Sequence, residues 1–78
     1  MTPRLRGRAL LRARAALFAR QPFCVLCLAE GRTTLPTIRD HVRPLAEGGA
    51  DDASNEQAVC DVCHTAKTQR EARRGRMR

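Results

Sequence analysis

Cys60-Asp61-Val62-Cys63-His64 at residues 60–64, together with Cys24-Val25-Leu26-Cys27 at residues 24–27, decides how this chain folds. The two Cys-x2-Cys pairs are separated by 32 residues, the spacing of a four-cysteine zinc site. A two-residue gap lets both sulfurs of a pair turn towards one tetrahedral ion at about 2.3 Å each. With all four positions filled by Cys24, Cys27, Cys60 and Cys63, such a zinc is structural and has no open position for chemistry. It contributes on the order of 10 kcal/mol to folding at neutral pH. The competing readings are two disulfides, or an iron or redox centre.

The compartment bears on that choice. No stretch approaches the roughly 18 apolar residues a membrane span needs. The run from Ala9 to Ala19 is broken by Arg12 and Arg14 and makes a poor secretory segment. These features predict a cytoplasmic protein with no membrane partner, where thiols stay reduced and metal is favoured over disulfides.

Composition makes a staple a requirement: either the chain is unfolded or the four cysteines hold it. Of 78 residues only fifteen are Leu, Ile, Val or Phe, and there is no Trp or Tyr. Twelve of the residues counted as hydrophobic are alanine. A large-apolar content below about 20% with net charge +7 points to disorder unless something staples the chain. The length excludes a multidomain enzyme and a deep substrate cavity.

Outward from the cysteines, residues 4–20 are rich in Arg, Ala and Leu and predict a helix, stopped by Pro22 and weakened in its first turns by Gly7. Glu30-Gly31-Arg32 reads as a turn. Residues 35–42, with Thr37, Ile38 and Val42, predict a strand, and 57–59 a short partner for it. Pro44, Gly48, Gly49, Asp51, Asp52 and Ser54 mark 43–55 as loop. Asp61 offers an N-cap for a helix over 62–73, with Gly75 beyond its end. The order is helix, knuckle, strand, long loop, strand, knuckle, helix, without internal repeats: a small α+β, zinc-stabilised domain.

The two histidines need a separate account. On a helix, neighbours point about 100° apart, so His64 does not join Cys63 at the same zinc. His41 follows Asp40 near the end of the predicted strand. Asp40-His41, thirteen residues, Asn55, eight residues and His64, interleaved with four cysteines, resemble the HNH endonuclease family. The resemblance covers 22–67 through PFCVLC, RDHVRPLAEGG, SNEQAVCDVCH and TAKT. It is similar in particular to small phage and prophage members with a zinc knuckle, some of which work beside the packaging terminase.

The resemblance implies a ββα-metal (His-Me finger) core with an N-terminal helix, surrounding one divalent ion such as Mg²⁺, Mn²⁺ or Ni²⁺. Asp40 and His64 are its implied protein ligands, and His41 the general base that takes a proton from the attacking water. An imidazole with unperturbed pKa near 6.5 suits that task at neutral pH. Asn55 matches the position that supports the loop and fixes His41, and the implied products are a 5′-phosphate and a 3′-hydroxyl. Arg39 departs from the usual apolar residue before Asp-His, and turns outwards to DNA or pairs with an acid. Glu56 departs from the apolar residue that commonly follows the Asn, which bears on loop packing. Residues 1–21 are then a basic helix, 22–73 the nuclease domain and 74–78 a basic tail.

Charge fits a polyanionic partner. Residues 1–20 carry six arginines and no acid, 21–60 a net −3, and 61–78 a net +4. DNA held mainly through backbone phosphates is the expected partner, with Arg43, Lys67 and Arg70 as contacts and terminase or portal proteins as further ones. A single site predicts nicking, in the cytoplasm of a bacterial host carrying phage or prophage DNA. The alternative is a non-catalytic zinc-ribbon DNA-binding or terminase-accessory protein, which explains the charge and cysteines but not the placing of Asp40, His41 and His64. A toxin-type nuclease would need a delivery domain as well.

Overall fold

A computed structural model describes residues 4–76. Its elements are α1 (Gly7–Arg20), a short α2 (Val25–Ala29), β1 (Ile38–His41), β2 (Glu56–Val59) and α3 (Asp61–Arg76), with 3-10 turns at Leu45–Glu47 and Ala53–Asn55 between the strands. The order matches the expected α, knuckle, β, loop, β, knuckle, α. Several boundaries move, each for a local reason.

α1 starts at Gly7 rather than at residue 4. Gly7 takes φ +53°, a left-handed conformation that interrupts a right-handed helix, and Arg6 before it is extended. The strand predicted over 35–42 is only four residues long, because Ile38 already pairs with Val59, the last residue of β2, and the chain bends away at Val42 and Arg43. Asp61 is the first residue of α3 and not its cap. The His64 amide already donates to the Cys60 carbonyl at 2.9 Å, and the Asp61 carboxylate accepts from the Thr37 hydroxyl at 2.9 Å. α3 also runs through Gly75 to Arg76, past the end expected at residue 73. The last two residues of the proposed tail lie outside the described residues.

β1 and β2 form an antiparallel hairpin in which Ile38 pairs with Val59, Arg39 with Ala58, Asp40 with Gln57 and His41 with Glu56. Side chains alternate along a strand, so this register gives the hairpin two distinct faces. Ile38, Asp40, Gln57 and Val59 share one face; Arg39, His41, Glu56 and Ala58 share the other.

The first face holds the core: Val59 is fully buried with Cys24, Cys27 and Cys60, and Val25, Leu26, Ile38 and Cys63 pack around them. Burying one Val side chain stabilises by about 1.5–3 kcal/mol, so this cluster cannot carry the fold by apolar burial alone. Against the second face lies α1, which fully buries one side chain, Leu17. Polar pins do the rest of its docking. Arg14 donates to the Thr37 carbonyl at 2.8 Å, and the Ala58 amide donates to the Gln21 side chain at 2.8 Å. Among the described residues, no helix is long and apolar enough to cross a membrane.

Candidate functional site

The four cysteines are free thiols gathered from the two knuckles, their sulfurs all within 4.8 Å of one another. Cys27 Sγ lies 3.7 Å from Cys60 Sγ and 3.6 Å from Cys63 Sγ. Four thiolates at about 2.3 Å in a tetrahedron stand about 3.8 Å apart, so the cluster has the dimensions of a structural zinc site. The Cys27 amide donates to Cys24 Sγ at 3.4 Å, a bond the short α2 creates by turning back on its own first cysteine. The Thr34 hydroxyl leads the effects that push the Cys27 thiol down to about 6; burial opposes it, and hydrogen bonds from Cys63, Cys24 and Arg32 add to it. Burial and the surrounding cysteines push Cys63 up.

On the same hairpin face, Asp40 is buried and meets α3. Gln57 donates to Asp40 Oδ2 at 2.9 Å and the Lys67 ammonium approaches the same oxygen at 3.2 Å. Asp40 Oδ1 is 3.8 Å from His64 Nε2. That gap is too long for a hydrogen bond. It suits a carboxylate and an imidazole directed at one ion, each at about 2.0–2.2 Å. The donor set, one oxygen and one nitrogen, accommodates several divalent metals. His64 and Lys67 reach β1 together because residues three apart share a helix face.

Lys67 is 13% exposed, with its ammonium directed to the His41 carbonyl at 2.8 Å, to Asp40, and to Glu71 one turn along the helix. Its three donors are thereby occupied. The sequence reading gave Lys67 to a DNA phosphate; in the structure it braces α3 against the end of β1. Arg43 and Arg70 are exposed.

His41 follows Asp40 in sequence but belongs to the other hairpin face. Its Nε2 lies 2.7 Å from Asp51 Oδ1. Asp51, in a stretch that reads from sequence as turn-forming, has a side chain only 1% exposed. The same Oδ1 accepts from Arg39 at 2.8 Å, and Oδ2 accepts from the Leu5 amide at 2.6 Å. Burial works to raise the Asp51 pKa, but the bonds from His41, Leu5 and Arg39 outweigh it and hold this carboxyl well below the usual range.

Arg39 does pair with acids: besides Asp51 it donates to Glu56 at 2.6 Å. Glu56, unusual for its position, also accepts from Arg20 of α1 at 2.6 Å. Burial would raise the Glu56 pKa, yet the two guanidinium groups keep it low. A cavity of about 230 Å³ lined by Arg4, Leu10, Arg14 and His41 opens beside this network.

Asn55 is buried and works on backbone. Its Oδ1 accepts from the Arg43 amide at 2.8 Å, while Nδ2 donates to the carbonyls of Arg43 at 2.9 Å and Ala50 at 2.8 Å. The long loop folds back on the residue two positions after His41. Gly49 permits the closeness: a Cβ there would sit 2.0 Å from the Arg43 carbonyl oxygen and 2.7 Å from Asn55 Nδ2.

The structure therefore brings together Asp40, His64 and Lys67, and separately His41 with Asp51 and Arg39. Asp51 is the residue the sequence did not single out. Its only local signal is its place two residues after the Gly48-Gly49 pair, where it reads as one turn former among several.

Comparison with protein-family models matches residues 24–70, over half of the chain, to the family described as HNH endonuclease. No curated protein and no solved structure matches. The matched segment includes all four cysteines, both strands, the loop and the part of α3 that bears His64.

Proposed function

The chain belongs to the HNH endonuclease family, with the family's ββα-metal fold in β1, β2 and α3, and from that premise we propose that it hydrolyses DNA phosphodiester bonds with a divalent metal. The observation that carries this reading is the facing pair Asp40 Oδ1 and His64 Nε2, 3.8 Å apart within the family-matched segment. Asp40 and His64 would hold the ion. Once bound, it would supply Lewis-acid stabilisation of negative charge on the phosphate and on the departing oxygen. Gln57 and Lys67, both on Asp40 Oδ2, fix the carboxylate so that Oδ1 is the oxygen presented to His64.

His41 is the proposed general base. Its Nε2 is engaged by Asp51, which leaves Nδ1 to take the proton of the attacking water. Asn55 keeps the loop closed against Arg43 and so holds the chain that leaves His41. The exposed Arg43 and Arg70 are proposed to touch backbone phosphates, with α1 and the basic C-terminal end adding long-range attraction. Binding should therefore weaken steeply with salt and show little sequence preference. One site per chain favours nicking. A place in phage DNA processing, beside a terminase, is the cellular context we infer from the sequence resemblance.

Supercoiled plasmid incubated with zinc-loaded protein and Mg²⁺, Mn²⁺ or Ni²⁺ tests the reading. We expect metal-dependent conversion to open circles. His41→Ala should lower the rate by about 10²–10⁴-fold with DNA binding and zinc content retained. Equal DNA binding by both proteins with no cleavage by either would leave a binding module and no nuclease.

A further inference from the structure

The carboxylate behind His41 belongs to a chain of charges, buried from Asp51 to Glu56, that extends out of the family-matched segment. Arg20 of α1 holds Glu56 at 2.6 Å, Glu56 holds Arg39 at 2.6 Å, Arg39 holds Asp51 at 2.8 Å, and Asp51 faces His41 at 2.7 Å. The side chains of Glu56, Arg39 and Asp51 are 3%, 5% and 1% exposed, so water contributes little to their orientation. The other Asp51 oxygen is held by the Leu5 amide, which precedes α1. Neither Leu5 nor Arg20 lies within the matched residues 24–70.

We propose that Asp51 is a positioning residue for His41, and that the N-terminal segment, through Leu5 and Arg20, completes the setting of the base. The inference rests on the reading of His41 as general base and deepens it.

The physical argument concerns which imidazole nitrogen carries the proton. An ionised carboxylate has no proton to give and can only accept. Held between a guanidinium and an amide N–H, Asp51 stays ionised, so His41 Nε2 must bear hydrogen to make the 2.7 Å bond. In the neutral ring the lone pair then lies on Nδ1. A neutral histidine without this partner divides its population between two tautomers, only one of which presents a basic Nδ1. The bond also fixes the ring's rotation, which a residue at the end of a strand otherwise leaves to solvent. The proton accounting is simple: water gives H⁺ to Nδ1, Nε2 keeps its own, and the imidazolium so formed lies against the Asp51 carboxylate. The Arg39 guanidinium prevents that carboxylate from taking the Nε2 proton.

The deciding measurement is made on the zinc-loaded wild-type protein with ¹⁵N-labelled histidine, over a pH series carried up to where the ¹⁵N shifts themselves show a neutral ring. Long-range ¹H–¹⁵N spectra read both rings, and His64→Asn identifies which signals belong to His41. We expect His41 with protonated Nε2 and bare Nδ1. A dominant Nδ1–H tautomer, or an even mixture, would overturn the proposal whether or not the protein cleaves DNA.

The activity arm uses Asp51→Asn, an isostere that keeps an acceptor for Leu5 or Arg39 but no longer forces the tautomer. In preparations with full zinc content and native circular dichroism, kcat should fall by about 10²–10⁴-fold while KM for DNA stays within about threefold. An unchanged kcat in folded Asp51→Asn would also overturn it. If that variant does not fold, the wild-type spectrum decides alone. Absence of cleavage by wild type strikes the nuclease reading only, and the tautomer still reports whether Asp51 sets His41.

Discussion

On one face of the β1–β2 hairpin, four cysteines surround Val59; on the other, Arg20, Glu56, Arg39 and Asp51 make a chain of alternating charges behind His41. The cysteine cluster on the first face has one kind of donor, and a cation from outside would satisfy it. The second face contains both signs and pairs them within the chain, with Arg39 Nη2 left without a partner among the described residues. Within the cluster, hydrogen bonds led by Thr34 lower the Cys27 thiol, while burial and the neighbouring cysteines raise that of Cys63. On the charged face each acid already has its base, and both Asp51 and Glu56 are held ionised. One hairpin thus presents a cysteine cluster with the dimensions of a zinc site on its core face and ion pairs behind its proposed catalytic histidine on the other.

The largest expected effect breaks the comparison on the cysteine side. Cys60→Ala, or a chelator strong enough to remove zinc, should forfeit on the order of 10 kcal/mol of folding free energy. The core is otherwise Leu17, Val59, Ala58 and the cysteines themselves, too little to survive alone. Circular dichroism should show helix lost from the entire chain, α1 included, as zinc is withdrawn. If α1 and the hairpin stayed folded without metal, the charged face would have to be the stronger of the two.

A smaller effect sharpens the other side. Glu56→Gln leaves Arg20 and Arg39 facing a neutral amide in a site only 3% exposed. Removing one member of a buried ion pair costs roughly 3–5 kcal/mol, readable by denaturant unfolding of the zinc-loaded protein. The pH dependence has a definite sign. The Glu56 pKa is lower in the folded chain than in the unfolded one, where it is near the ordinary value of about 4.3. Its contribution is therefore complete above that value and is lost as pH falls through the folded value. The stability gap between wild type and Glu56→Gln should be constant near neutrality and close in acid. A gap that instead widened in acid would show that the pairing seen here is not what Glu56 contributes.

The two faces also differ in how far they can be read from sequence. The cysteine face is legible because its information is local: two residues between sulfurs, twice, fix the chemistry of the ligand and the turn that presents it. Asp40 and His64 are legible through the same kind of ordered spacing. The charged face is written in pairs that join distant parts of the chain, Arg20 with Glu56 and Leu5 with Asp51, 36 and 46 residues apart. No periodicity connects such positions, and Asp51 among Gly, Ala and Asp residues carries the pattern of an ordinary turn. Arg39 could be read only as turning to DNA or meeting an acid, because strand alternation assigns a face without saying what waits there. Gly49 shows the same limit: its need for a bare Cα comes from the Arg43 carbonyl and Asn55, which the loop brings to it only after folding.

The smallest effect isolates the thinnest thread of the charged face, the Leu5 amide on Asp51 Oδ2 at 2.6 Å. Leu5→Pro removes that N–H, and Leu5→Ala removes the same side chain while keeping it. The difference between the two variants is the comparison of interest. A hydrogen bond to a buried charged group contributes about 1.5–3 kcal/mol, so Leu5→Pro should be less stable than Leu5→Ala by an amount in that range, with equal zinc content. Asp51 would still hold Arg39 and His41 through Oδ1, so cleavage should fall modestly in Leu5→Pro and not collapse as in Asp51→Asn. Equal stability and equal kcat in the two Leu5 variants would mean that residues before α1 only lie against the site. The charged face would then end at Asp51, and the N-terminal segment would act through its arginines alone.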